Sequence, residues 1–199
     1  MLKTALLSLV ALTLLASTAG AAGMTEGQVI GSIGGGIQIP TGDYSDAGKT
    51  GFGGILGLDY AISPVVTVGA TFHYNRNSIS DDLKSALELF AGQPVDGHYT
   101  VLHYGANLKY IVAPEQNTHP YFTIGGGLYN FKATLETGGV SASDSNTDGG
   151  INGGVGVLFD VGAKSHLALQ GQYHDIFTSG SSTQYVNFHM VFSVDLNSR

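Results

Sequence analysis

Residues 184–196 read QYVNFHMVFSVDL, so that Val186, Phe188, Met190, Phe192, Val194 and Leu196 fall on one parity and Tyr185, Asn187, His189, Ser193 and Asp195 on the other. A β-strand rises about 3.3 Å per residue with side chains on alternate faces, which gives this segment one greasy face and one polar face. About ten tilted residues of such a strand cross the apolar part of a bilayer.

The same alternation recurs seven more times. Val29, Ile33, Ile37 and Ile39 oppose Gln28, Ser32 and Gln38; Phe52, Leu56, Leu58, Tyr60 and Ile62 oppose Gly53, Gly57 and Asp59. Val66, Val68, Ala70, Phe72 and Tyr74 lie against Thr67, Thr71, His73 and Asn75, and Leu102, Tyr104, Ala106, Leu108 and Tyr110 against His103, Asn107 and Lys109. A fifth run from Pro120 sets Phe122, Ile124 and Leu128 against Tyr121, Thr123 and Tyr129, with the least regular pattern of the eight. In the sixth, Ile151, Val155, Val157, Phe159 and Val161 oppose Asn152, Gly154, Gly156 and Asp160; in the seventh, Leu167, Leu169 and Tyr173 oppose His166, Gln170, Gln172 and His174.

The segments between the runs alternate in length. Those at 63–64, 113–118 and 162–164 are short, and those at 41–51, 78–97, 134–149 and 178–183 are longer. An even number of antiparallel strands with short turns at one end and long loops at the other predicts an all-β chain, an eight-stranded antiparallel up-and-down transmembrane β-barrel with short periplasmic turns and longer extracellular loops. Alternation alone does not say which face points inward, because a soluble calyx would bury the apolar one. The polar face here is rich in glycine, small residues and hydrogen-bonding groups, which suits a lumen only wide enough for side chains to fill. Outward aromatics near the strand ends, Phe52, Tyr74 and Tyr173 on the loop side and Tyr60, Tyr110, Phe122, Phe159 and Phe192 on the turn side, form two interfacial girdles.

The compartment follows from the start of the chain. Lys3 precedes an apolar run at 5–16 and then Ser17, Ala19, Gly20, Ala21 and Ala22, the pattern of a secretory signal peptide whose apolar core is too short to span as a helix. Residues 1–21 are therefore read as a signal peptide cleaved near Ala21, and residues 22–199 as the barrel domain, exported to the outer membrane of a Gram-negative-type bacterium. Thirty glycines, ten tyrosines, nine phenylalanines and 12% charged residues fit strands and turns. Cysteine is absent, so no disulfide staples the exported fold. The net charge of −7 argues against a nucleic-acid partner.

Several residues could carry chemistry. His73, His103, His174 and His189 share the polar parity and are luminal candidates for a metal; the competing expectation is a polar plug in which they hydrogen-bond with Asn75, Asn107, Gln172 and Asn187. Their strands lie on opposite walls, so convergence does not follow from the pattern. Asp59, Lys109, Asp160 and Asp195 are read as lumen-facing charges, with Lys109 paired to one or more of the carboxylates. A filled barrel leaves no substrate cleft between those carboxylates for glycosidase chemistry.

In the segment 78–90, SISDDLKSALELF, Leu83, Leu87 and Phe90 share a helical stripe behind a serine cap and two aspartates, which predicts a short amphipathic helix at the mouth of the barrel. Residues 134–149 read as a flexible, solvated loop; their DSNTDGG lacks the spacing and closing Glu of a calcium loop. The glycine triplets at 34–36 and 125–127 are not phosphate loops, since no helix or Lys follows them at the required spacing.

The opening IGSIGGGIQIPTGDYSD, the segment HPYFTIGGGLYNF and the closing LALQGQYHDIFTSGSSTQYVNFHMVFSVDL resemble, in order and spacing, the bacterial outer-membrane β-barrel family that includes the small OmpA-like and OmpX-like barrels and opacity-type porins. The resemblance covers nearly all of residues 28–196. It implies a monomeric barrel surrounded by outer-membrane lipid and lipopolysaccharide, delivered by periplasmic chaperones to barrel-assembly machinery that reads the final strand. The expected function is a structural or surface-interaction role through the extracellular loops, with no catalytic residue and no cofactor. The alternatives are a narrow pore or carrier for small solutes and a lipid A acyl-modifying barrel enzyme. That enzyme would need a Ser and His together at the outer leaflet, where the sequence offers Ser179, Ser181 and Ser182 after His174.

Overall fold

The computed structural model describes residues 24–178 and 181–197; the segment read as a signal peptide, and Ser179, lie outside the described residues. Eight strands follow one another around a closed barrel: β1 (Val29–Thr41), β2 (Gly51–Ser63), β3 (Val66–Ser78), β4 (Val95–Ile111), β5 (Thr118–Thr137), β6 (Val140–Gly162), β7 (Ser165–Thr178) and β8 (Ser181–Asp195). Neighbours are antiparallel throughout, and β1 closes the ring against β8 from Ile30↔Asp195 to Thr41↔Gln184. Closure gives each strand a hydrogen-bonding partner on both sides, the condition for carrying β structure through lipid.

The parity read from the sequence is the parity of the wall. Ile33, Phe52 and Met190 leave 60%, 63% and 56% of their surface on the outside, while Gln38, Asn75, His103 and Asn187 are fully enclosed within. The irregular fifth run follows the same rule, with Phe122, Ile124 and Leu128 outward and Tyr121 and Tyr129 buried. The seam between β1 and β8 depends on glycine. A Cβ on Gly36 would collide with the Phe188 carbonyl and the His189 backbone, so the two strands meet only because Gly36 carries no side chain.

Two of the four connections expected to be long loops are strand instead. Residues 134–149 form the tip of a β-hairpin, paired from Gly127↔Gly150 to Thr137↔Val140, with Gly138 (φ 55°) and Gly139 (φ 82°) as its two-residue turn. Both turn residues take positive φ, the conformation that matches the twist of a two-residue hairpin and that glycine adopts without strain. The Ser, Thr and Asp there carry no apolar face because both faces are in water, so hydrophobic alternation could not reveal the strand. Likewise β7 and β8 pair out to Thr178↔Ser181. The other two connections fold into helices, α1 (Tyr44–Ala47) and α2 (Asp81–Ala91). With 20 and 23 residues, β5 and β6 are about twice as long as a bilayer requires and project well beyond it.

Candidate functional site

The lumen is filled in layers. Toward the turn end, Lys109 Nζ donates to Asp59 Oδ2 at 2.6 Å, the pairing expected from sequence. The other two luminal carboxylates take histidine partners instead. Asp160 lies between His119 Nε2 (3.1 Å) and His166 Nδ1 (2.7 Å), and His166 Nε2 reaches Asp195 at 3.3 Å. Alternation alone does not mark His119 and His166 as carboxylate partners, although Asp160 and His166 are direct cross-strand partners on one face, a signal that register supplies. Close by, Tyr121 Oη donates to Gln170 Oε1 at 2.8 Å, beside a cavity of about 40 Å³ lined also by Asp59, Lys109 and Ser193. That volume suits about one water molecule and no substrate.

Above this layer the four histidines converge. His73 and His103 are direct partners on β3 and β4, and His73 lies 5.0 Å from His103, 5.3 Å from His174 and 5.7 Å from His189, centroid to centroid. His103 and His174 are 5.7 Å apart. Opposite walls of an eight-stranded barrel are close enough for inward side chains to meet at the axis, which the strand order alone did not reveal. The expected hydrogen bonds to Asn75, Asn107, Gln172 and Asn187 are not what holds the rings. They meet edge to face, His103 stacks on Tyr129, and His174 stacks on Tyr185. His174 Nδ1 bonds Tyr129 Oη at 3.0 Å, and Asn152 Nδ2 donates to the same oxygen at 3.2 Å. As the side chains stand, no group of three or more His, Cys, Asp or Glu among the described residues is arranged to hold a metal ion.

The loop end is closed by aromatics. Tyr44 of α1 turns into the mouth and packs edge-on against Tyr99 (5.6 Å) and Phe131 (5.4 Å), next to buried Val101, Ile176 and Tyr185. Burial, with Tyr99 second, pushes the Tyr44 phenol above its ordinary range and keeps it neutral. Beside it, α2 begins where expected: Ser80 Oγ accepts from Leu83 N at 3.2 Å, and Lys49 and Lys84 pair with Asp81 and Asp96 at 2.6 Å each. The expected apolar stripe divides. Leu83 and Leu87 are half-buried, whereas Phe90 stands 94% exposed, beside Leu89 off the stripe at 88%. As for acyl chemistry at the outer leaflet, the His174 ring lies wholly inside the lumen, turned away from the lipid that an attacking serine would have to face.

Comparison with known proteins agrees with this architecture. No curated protein matches the sequence. Among solved structures the chain is similar to Ail, the attachment invasion locus protein of Yersinia pestis, at 17% identity and a TM-score of 0.57, covering 85% of this chain and 99% of that one. It is similar to Neisserial surface protein A at 17% identity and a TM-score of 0.59, covering 86% and 98%, and to a major outer membrane protein of Thermus thermophilus at 12% identity and 0.60, covering 84% and 98%. The family model described as outer membrane protein beta-barrel domain matches residues 7–197, so this chain belongs to the outer-membrane β-barrel family.

Proposed function

We propose that this protein is a plugged, non-enzymatic outer-membrane anchor that presents an acidic contact surface to the medium. The observation that carries the reading is the hairpin of β5 and β6, which extends the wall far past the span that a bilayer needs and ends in exposed Ser, Thr, Asp and Glu. Rigid β structure built outside the membrane holds a surface in place for a partner; a barrel concerned only with its lumen has no use for it.

Charge narrows the partner. Ten carboxylates sit at the loop end, among them Asp43, Asp81, Asp96, Glu136, Asp144 and Asp148, against four cations, Lys49, Arg76, Lys84 and Lys132. Such a surface attracts basic partners and repels sulfated or phosphorylated ones. One of the similar structures is Ail in complex with a heparin analogue. The charge pattern here supports the opposite preference.

The test is binding of the full barrel in nanodiscs to a poly-lysine surface and to a heparin surface at low salt. Retention on poly-lysine that is screened away at high salt and weakened by shortening the hairpin, with passage through heparin, supports the proposal. Retention on heparin overturns it.

A further inference from the structure

We infer that His73, His103, His174 and His189 form a binding site for one late first-row transition-metal ion at the centre of the lumen. Six buried ring nitrogens in this group have no hydrogen-bond partner: Nδ1 of His73, both of His103, Nε2 of His174 and both of His189. Each such group forgoes hydrogen bonds that it makes in water, at about 1–3 kcal/mol apiece. A neutral imidazole offers one lone pair, so four such rings in one small space can together present up to four to a single acceptor.

The spacing fits a metal. A zinc-type ion sits about 2.0–2.1 Å from an imidazole nitrogen, hence about 3.2 Å from the ring centroid, and tetrahedral ligation then puts ring centroids about 5.2 Å apart. Four of the six ring pairs are in contact, at 5.0, 5.3, 5.7 and 5.7 Å; His189 joins the group through His73. His73, His103 and His174 make a triangle of sides 5.0, 5.3 and 5.7 Å, whose circumradius abc/4A is about 3.1 Å, so one point is nearly at metal distance from all three rings. The rings now cross edge to face and aim no common donors. Loading therefore requires rotation of His73, His103 and His189 about their Cβ–Cγ bonds, with the ring centres already in place and His174 held by Tyr129.

A supporting partner is present. His174 Nδ1 is engaged with Tyr129 Oη, which also accepts from Asn152, so the nitrogen left for the metal is Nε2, one of those without a partner; with Nε2 on the metal, Nδ1 carries the ring's proton and donates to Tyr129. An all-imidazole set excludes calcium and magnesium, which take oxygen ligands, and selects zinc, copper, nickel or cobalt.

The test is refolding of the full barrel from urea into detergent micelles with one equivalent of Co²⁺, followed by desalting. One cobalt per chain is expected, with the strong visible band of a four-coordinate site. His73→Gln and His174→Gln should weaken binding at least 10-fold, Tyr129→Phe by about 10-fold, and His166→Gln in the turn-side layer and His98→Gln at the loop end of β4, opposite Ser78, not at all. X-ray absorption of the zinc-loaded unmodified barrel, which needs no variant to fold, should count three or four imidazoles. No metal retained, binding that persists in His174→Gln, loss confined to His166→Gln, or fewer than three imidazoles each overturns the inference.

Discussion

Replacing Lys109 by Met keeps an unbranched stem of similar length and removes the one cation bonded to Asp59. Asp59 is 3% exposed, its Oδ2 receives the Lys109 ammonium at 2.6 Å, and its Oδ1 has no partner. The variant therefore leaves a carboxylate that has lost its counter-charge and its hydrogen bond inside a narrow lumen. Breaking a fully buried pair by removing one member costs about 3–5 kcal/mol. The Lys109 side chain retains 22% of its exposure, so some solvent reaches the site, and a loss of about 2–4 kcal/mol is the better figure. Asp59→Asn combined with Lys109→Met removes both charges and should recover at least about 1.5 kcal/mol relative to the sum of the single variants. Urea titration of the barrel in phospholipid vesicles, followed by the mobility of the folded form on unheated gels, gives the four stabilities. A Lys109→Met variant as stable as the parent, or strict additivity of the two changes, would refute the reasoning that the lumen is dry enough to make the pair matter.

Arg in place of Met190 or Val157, which lie on the lipid side at one level of the wall through Leu169, should destabilise the folded barrel by about 2–4 kcal/mol, read by the same urea titration; Asn152→Ser should cost about 1 kcal/mol through the lost bond to Tyr129. Gly36→Ala should prevent closure of β1 on β8, seen as failure to form the fast-migrating folded species, because its Cβ meets the Phe188 carbonyl. Ser80→Ala should cost α2 about 1 kcal/mol, measurable as faster amide exchange across residues 81–91 with the barrel amides unchanged. Planar-bilayer recordings should show no stepwise conductance, and regular open-channel steps would restore the pore alternative.

The strands, their parity and the inside of the barrel were legible because lipid on one side and packed side chains on the other impose a strict period of two. That constraint ends where the membrane ends, so the hairpin tip at 134–149, wet on both faces, read as a loop. The pairing of Lys109 with Asp59 was legible from the scarcity of charge on a buried face. Asp160 with His119 and His166 was not, because a histidine on a polar face looks the same whether it holds a carboxylate or fills space. Convergence of the four histidines was hidden for a geometric reason. Strand order gives neighbours around the wall, while meeting across the axis depends on stagger and side-chain reach. Phe90 shares the helical spacing of Leu83 and Leu87, but the last turn of α2 runs past the surface that covers those two.

The central claim is that the apolar parity of every strand faces lipid and the polar parity faces a filled lumen. With no native cysteine, single cysteines at 186–194 of β8 can each carry a nitroxide without background. In reconstituted vesicles, the collision rate with dissolved oxygen should rise and fall with a period of two, high at Phe188, Met190 and Phe192 and low at Asn187, His189 and Ser193. The opposite phase would put the polar face outward, and a flat profile would mean that β8 is not a membrane-spanning strand.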